Sequence, residues 1–355
     1  MPVLSIDYSR GSATALLVND DLSYKVSRLP LMSPNIFYAN RPSKTQEFLR
    51  LLSELEEELD IKIQDKLLIY AATTTDLGVS VKNCRFCSKD EAFRSLYPID
   101  FRYFSHLHVG SSAGVFFEDK NFAAVKKELF FDEKEETLKN YFENLNLYPY
   151  IEASSDRDIY EELYYLKEIA RTNCPLIPQG NVMEPKTIIF STTRTVDEER
   201  LLARFMLLAL DSLCSFGFYN FKFDFSNFLG SSSALSFFEN ELFQKISMPK
   251  FISLGSVVNL ADDLTCEIDS GTGTIEDFRV EKGELFTRPL TSGESVVLKV
   301  GSKRFGAFEK VVPGGVFGIV LDTRDKDKEK DYPLAQKKLF VKSWEDQLVS
   351  VSRAF

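Results

Sequence analysis

Histidine and tryptophan are nearly missing: 355 residues contain two His, His106 and His108, and a single Trp. Ser–His–Asp catalysis is unsupported, because the two His stand together and no separate one is left to act as a base. Basic residues are not in excess either. Lys and Arg number 43 against 53 Asp and Glu, for a formal net charge of −10. With no basic stripe, nucleic acid is not an expected partner, and anionic membrane surfaces would repel the chain. No apolar run is long enough to span a bilayer. The greasiest stretch, "LLARFMLLALDSLCSFGF", is broken by Arg204 and Asp211 and predicts a core helix, so direct membrane insertion is not expected. The opening "MPVLSIDYSR" lacks a basic segment followed by an apolar one, so no signal peptide is expected. Five Cys, an odd count at 84, 87, 174, 214 and 266, argue against a disulfide framework and for a reducing compartment. No Walker A or Rossmann fingerprint is present. These absences leave an acidic, cytoplasmic chain.

Apolar content is 44%, and Phe is abundant at 31. The length suits two or three domains with a sizeable core. Residues 3–8 and 13–18 read as a strand pair. Residues 45–60 alternate apolar and acidic positions as an amphipathic helix, with 48, 49, 51, 52 and 55 on the apolar face and Ser43 or Thr45 as its cap. "KLLIYAAT" (66–73) predicts a buried strand, and 106–119 reads as strand, turn, strand. Two helices follow within 133–172, the second capped by Asp156 or Asp158. After a connector at 174–185, "KTIIFSTT" predicts a strand and 196–217 a helix closed by Gly217. "FKFDFSNFLG" reads as one strand. From about residue 262, short period-2 runs with Gly turns predict a compact β module. In it "DSGTGT" (269–274) and "PGGVFG" (313–318) read as turns. "RDKDKEKD" (324–331) reads as a solvated charge run. A final helix follows, with Leu334, Val341, Trp344 and Leu348 on one face.

Three constellations could carry chemistry. The first is the opening hairpin, with Asp7, Ser9, Arg10, Gly11, Ser12 and Thr14. Small turn residues let backbone N–H groups face phosphate oxygens. An Asp at a strand end can hold the water shell of Mg²⁺, and Arg10 could pair with a phosphate. An ordinary polar hairpin fits the same residues. The second is "VGSSAG", with Gly110, Ser111 and Ser112 as a second hairpin of this kind or a plain β-turn. The third is "CRFC" with "HLH". Cys84, Cys87, His106 and His108 supply the ligand types of a tetrahedral zinc site. A C-x-x-C pair can also be redox-active, and buried thiols beside hydrogen-bonded His fit as well.

Taken in order, these pieces resemble the glutamate-mutase accessory protein L family, a branch of the actin and heat-shock-chaperone ATPase superfamily. The resemblance runs over residues 100–348 plus the opening hairpin. It is carried by "ETLKNYFENLNLYPY", "DRDIYEELYYLKEIAR", the strand, loop and helix from Lys186 to Gly217, the β module and Trp344. It implies an α/β fold: a reduced actin-like (ribonuclease-H-like) core, a small C-terminal β module and a terminal helix. The implied parts are 1–130, 131–261 and 262–355. It also implies that Asp7, the two serine-rich hairpins and the loop at Thr192 and Thr193 would face a nucleotide. Yet Ser9 and Arg10 replace an expected Gly-Ser/Thr pair, His108 an expected Asp, and Thr192 and Thr193 expected glycines. The stretch between the opening hairpin and residue 100 is also short for the family.

The expectation is therefore a non-catalytic, actin-like pseudo-ATPase acting as an interaction or scaffold module, with protein partners and homo-oligomerisation. No cofactor is expected. The alternative is an ATP-binding accessory or reactivating chaperone for a cobalamin-dependent mutase, which would hold Mg-ATP or Mg-ADP. Structural zinc is compatible with either.

Overall fold

Alternation in "VLSIDYS" sets the geometry of the first sheet. Val3–Ser9 (β1) pairs antiparallel with Ser12–Val18 (β2), and Asp7 lies opposite Thr14. Period 2 sends Leu4 and Ile6 to one face of the sheet, and Val3, Ser5 and Asp7 to the other. The computed structural model describes residues 2–9, 12–30, 44–62, 67–73, 81–96, 104–109, 125–147, 155–173, 184–192, 199–212, 214, 216–271, 275–325 and 332–353.

Before residue 96 the chain completes a five-stranded sheet. Tyr24–Pro30 (β3), the helix Lys44–Leu59 (α1), Leu68–Thr73 (β4), Cys84–Ser88 (β5) and the short helix Lys89–Ser95 (α2) follow the hairpin. The strand order is β3-β2-β1-β4-β5. The β1–β2 and β2–β3 pairs are antiparallel, and β1–β4 and β4–β5 are parallel. α1 buries Phe48, Leu51, Leu52 and Leu55 against the face of Leu4 and Ile6. Leu49, expected with them, is instead half exposed.

A second sheet collects strands from the rest of the chain. Phe104–Val109 (β6), Lys186–Thr192 (β7) and Gly217–Asp224 (β8) run parallel, and Ile252–Asn259 (β9) pairs antiparallel with β8. Between them lie the helices Glu135–Leu147 (α3), Asp156–Asn173 (α4), Glu199–Ser212 (α5), Phe228–Phe238 (α6) and Asn240–Lys245 (α7). α4 starts with a capping box rather than an Asp cap. Ser155 Oγ accepts from Asp158 N at 3.1 Å, and the Asp158 carboxylate accepts from Ser155 N at 3.3 Å. Gly217 opens β8 and does not close α5. "FKFDFSNFLG" is not one strand: β8 stops at Asp224, and α6 begins at Phe228.

The β-rich segment is Leu264–Asp269 (β10), Ile275–Val280 (β11), Leu285–Arg288 (β12), Ser295–Ser302 (β13), Gly306–Pro313 (β14) and Ile319–Asp322 (β15). Four of these form an antiparallel sheet, β11-β10-β13-β14, while β15 and β12 extend the second sheet beyond β9. Cys266, Ile268, Leu298 and Val300 pack against Phe218, Val258, Ile319 and Leu321, so the small sheet lies over one face of the second. Within the second sheet, β9 and the chain entering β15 approach closely at Gly255. With φ at +133°, a Cβ there would lie 2.3 Å from the Gly318 carbonyl oxygen.

The terminal helix Leu334–Ser352 (α8) buries Trp344 and Leu348 on the other face, but Leu334 is exposed. Arg324, expected in a solvated run, is one of the largest fully buried side chains. Among the described residues no helix is long and apolar enough to cross a membrane.

Candidate functional site

α6 leaves the second sheet after β8 and packs on the first, against β1, β2, β4 and α2. Its sequence, "FLGSSSALSFF", allows this close approach because small residues fill its middle. Residues 228–236 are all buried. The serine hydroxyls donate to carbonyls: Ser231 to Phe228 O at 3.1 Å, Ser233 to Gly230 O at 2.7 Å and Ser236 to Ser95 O at 2.9 Å. No buried hydroxyl of the helix goes unpaid in hydrogen bonds, as burial requires. In its second half, Leu235 N donates to Ser5 Oγ of β1 at 3.1 Å.

The N-terminus of α6 meets the carboxyl end of β1, and a polar cluster forms there. Asp7 is fully buried, and its carboxylate is ion-paired with Lys89 Nζ from α2. Asn227, just before α6, has the left-handed conformation with φ at +54°. Its Nδ2 donates to Thr14 Oγ1 at 3.1 Å and to Asp7 Oδ2 at 3.4 Å. Its Oδ1 is buried and has no hydrogen-bond partner among the described residues. The amide lies over Gly230, where a Cβ would come within 2.5 Å of Oδ1.

Asp224, at the end of β8, caps α6 by accepting from Phe228 N at 2.9 Å and Leu229 N at 2.7 Å. Burial lifts its carboxyl above the ordinary range, against the opposing pull of these N–H groups. Arg28 of β3 donates to Phe225 O at 3.3 Å. Burial depresses its guanidinium pKa, and the charges of Asp224 and Asp7 partly restore it.

This arrangement does not fit a divalent cation. A hard cation asks for oxygen ligands open to it. Here the Asp7 carboxylate already faces an ammonium and an amide N–H, both donors, with no exposure to solvent.

The other expected site residues fall out as follows. Arg10, Gly11, Gly110, Ser111, Ser112 and Thr193 lie outside the described residues. Ser9 and Ser12 face each other as the last pair of the β1–β2 ladder. Val109 pairs with Thr192 as the last pair of the parallel β6–β7 ladder. His106 and His108 are on β6 of the second sheet, whereas Cys84 and Cys87 are on β5 of the first. The two thiols do not converge. Cys84 packs with the α1 side and Cys87 with the α6 side, as a three-residue spacing on a strand dictates. Burial pushes both thiols up to about 12, which keeps them protonated and unsuited to metal binding or redox exchange near neutrality. Among the described residues no cluster of His, Cys, Asp and Glu could hold a metal ion.

Lys89, Asn227, Asp224 and Arg28 were not legible as site residues. The one local signal is "DFSN" ahead of a run of small residues, a helix-start pattern.

A second buried charge cluster lies between α4, α5 and α8. Glu345, fully buried, accepts from the Tyr160 hydroxyl, from Arg200 Nη1 at 2.9 Å and from Arg204 Nε at 3.1 Å. Arg324 grips Asp322 with two bonds, at 2.8 and 3.0 Å, and reaches Asp211 at 2.9 Å. Its guanidinium stands 4.5 Å from the centre of the Trp344 ring. The cavity in their midst measures about 40 Å³, room for little beyond water.

No protein-family model matches this chain, and no curated protein sequence does. Two solved structures share a partial likeness. One is component A of (R)-2-hydroxyglutaryl-CoA dehydratase from Acidaminococcus fermentans, at 10% identity and a TM-score of 0.35, covering 68% of this chain and 99% of that one. The other is the activator of 2-hydroxyisocaproyl-CoA dehydratase from Clostridium difficile with bound ADPNP, at 10% identity and a TM-score of 0.35, covering 70% and 99%. At these values neither assigns a function to this chain.

Proposed function

We propose that the chain is a cytoplasmic, actin-like module that binds protein partners and does not turn over nucleotide. The first sheet's order, β3-β2-β1-β4-β5, supports the ribonuclease-H-like reading of its fold. The observation that carries the functional reading is the sealing of Asp7. In a phosphate-binding cleft this carboxylate would orient the water shell of a metal. Here Lys89 and Asn227 hold it, and the start of α6 buries it. Phosphoryl transfer relies on positioning and on charge stabilisation by a metal ion, and here the Asp7 carboxylate is already taken by donors.

Calorimetry with Mg-ATP and Mg-ADP tests the reading, beside a thermal melt. No heat and no shift at millimolar nucleotide are expected, since a ligand that binds only the folded state raises the melt. Mg²⁺-dependent ATP turnover, abolished in Asp7→Ala, would overturn it in favour of an ATP-dependent accessory factor.

A further inference from the structure

We propose that Lys89 is a tethered cation that replaces a divalent metal at Asp7, clamping α6 across the two sheets without metal or nucleotide. The inference rests on the sealed-cleft reading above and names the device that does the sealing.

Three observations converge on it. The first is the oxygen inventory. The Asp7 carboxylate and the Thr14 hydroxyl share one buried cluster, oxygen donors of the type hard cations take, and both accept from Asn227 Nδ2. The second is the orientation of the Asn227 amide. It turns its NH₂ to Asp7 and Thr14 and leaves Oδ1 without a hydrogen bond among the described residues. An NH₂ aimed at a carboxylate is compatible with an organic cation beside that carboxylate, and a metal bound there would reverse the preference. The third is charge. Asp7 is already balanced by Lys89 in a buried ion pair, and the charges of Asp224 and Arg28 act on each other beside it. Adding a divalent ion would leave a buried double positive charge. Removing the lysine charge would leave a buried negative one, which burial penalises heavily.

The clamp spans the fold. Asp7 and Lys89 belong to the first sheet and its following helix, while Asn227 and Asp224 lie on the segment that leaves the second sheet. A covalently tethered ammonium is always present, so closure of this joint does not wait for a ligand.

The test is a gain of metal binding in Lys89→Gln, read as Mn²⁺ binding by electron paramagnetic resonance and as thermal melts with 10 mM Mg²⁺ or EDTA. Wild type is expected to bind no Mn²⁺ and to melt identically in both buffers. Lys89→Gln is expected to melt about 5–10 °C lower in EDTA, to recover at least half of that loss in Mg²⁺, and to bind Mn²⁺, which wild type does not. The double variant Asp7→Asn, Lys89→Gln should lose the metal response. Lys89→Gln with no metal response overturns the proposal. So does a wild-type melt that moves between EDTA and Mg²⁺, a measurement that needs no variant. The function reading fails separately: nucleotide binding by wild type in EDTA would sink it while leaving the tethered cation in place.

Discussion

The two buried charge clusters are built on different plans. Around Glu345 each buried carboxylate meets several donors: Tyr160, Arg200 and Arg204 converge on Glu345, and Arg324 grips Asp322 twice. Around Asp7, by contrast, Asn227 Oδ1 is buried with no hydrogen bond among the described residues. A saturated network is what a structural staple requires, because any unpaired member would cost more than an apolar core. An incomplete one leaves a buried acceptor that costs stability. The first cluster fastens the terminal helix; the second joins the sheets.

The sharpest way to break the comparison is Glu345→Ala. It strips the shared acceptor from Tyr160 and two Arg residues, and is expected to cost about 3–5 kcal/mol by denaturant titration. Unlike the Lys89 variant, it should show no recovery in Mg²⁺. Alkali offers a second route. Cys84 and Cys87, one on each face of the first sheet, and Cys266 in the small sheet are all pushed up to about 12 by burial, from an ordinary 9.0. The folded chain keeps these protons longer than the unfolded chain does, so stability is full below pH 9 and falls as pH rises from 9 towards 12. Equilibrium unfolding measured at pH 8, 9 and 10 should show that decline, and replacing all three by Ala should flatten it.

Gly230→Ala probes the cleft more gently. Its Cβ would displace the Asn227 amide, for an expected loss of about 1–3 kcal/mol. On an Asn227→Ala background the same substitution should cost clearly less, a non-additivity that a double-mutant cycle reads directly. At the small end, Arg50→Ala on the exposed face of α1 removes the pair with Glu54 at 3.2 Å, and should change stability by about 0.3–0.5 kcal/mol.

Periodicity made much of the fold legible. The opening hairpin, α1 and the β-rich segment stand out because one face of each is apolar, and β4 and β7 because they are short unbroken apolar runs. α6 was hidden for the opposite reason. Buried through its middle and rich in serine, it has no amphipathic stripe to read. The thiols show a related limit: "CRFC" looks like a ligand pair until the strand's parity turns Cys84 and Cys87 away from each other. Arg324 looked solvated by its neighbours in sequence, yet its partners are Asp322 and the distant Asp211. The Asp7 cluster was half legible. Asp7 and Thr14 were evident from the hairpin, but Asn227 is 220 residues from Asp7, and no local motif spells such a pairing.

The same separation has a consequence in time. The first sheet presents Val3, Leu16, Val18, Tyr70 and Ala72 to α6. Ser5 and its partner Leu235 are 230 residues apart. At a synthesis rate of about 5–20 residues per second, roughly 10–45 s pass between the emergence of the strand and that of its cover. Through that interval the nascent chain carries a bare apolar face of its earliest sheet. The helix that closes the joint is therefore among the last parts of this face's cover to be made.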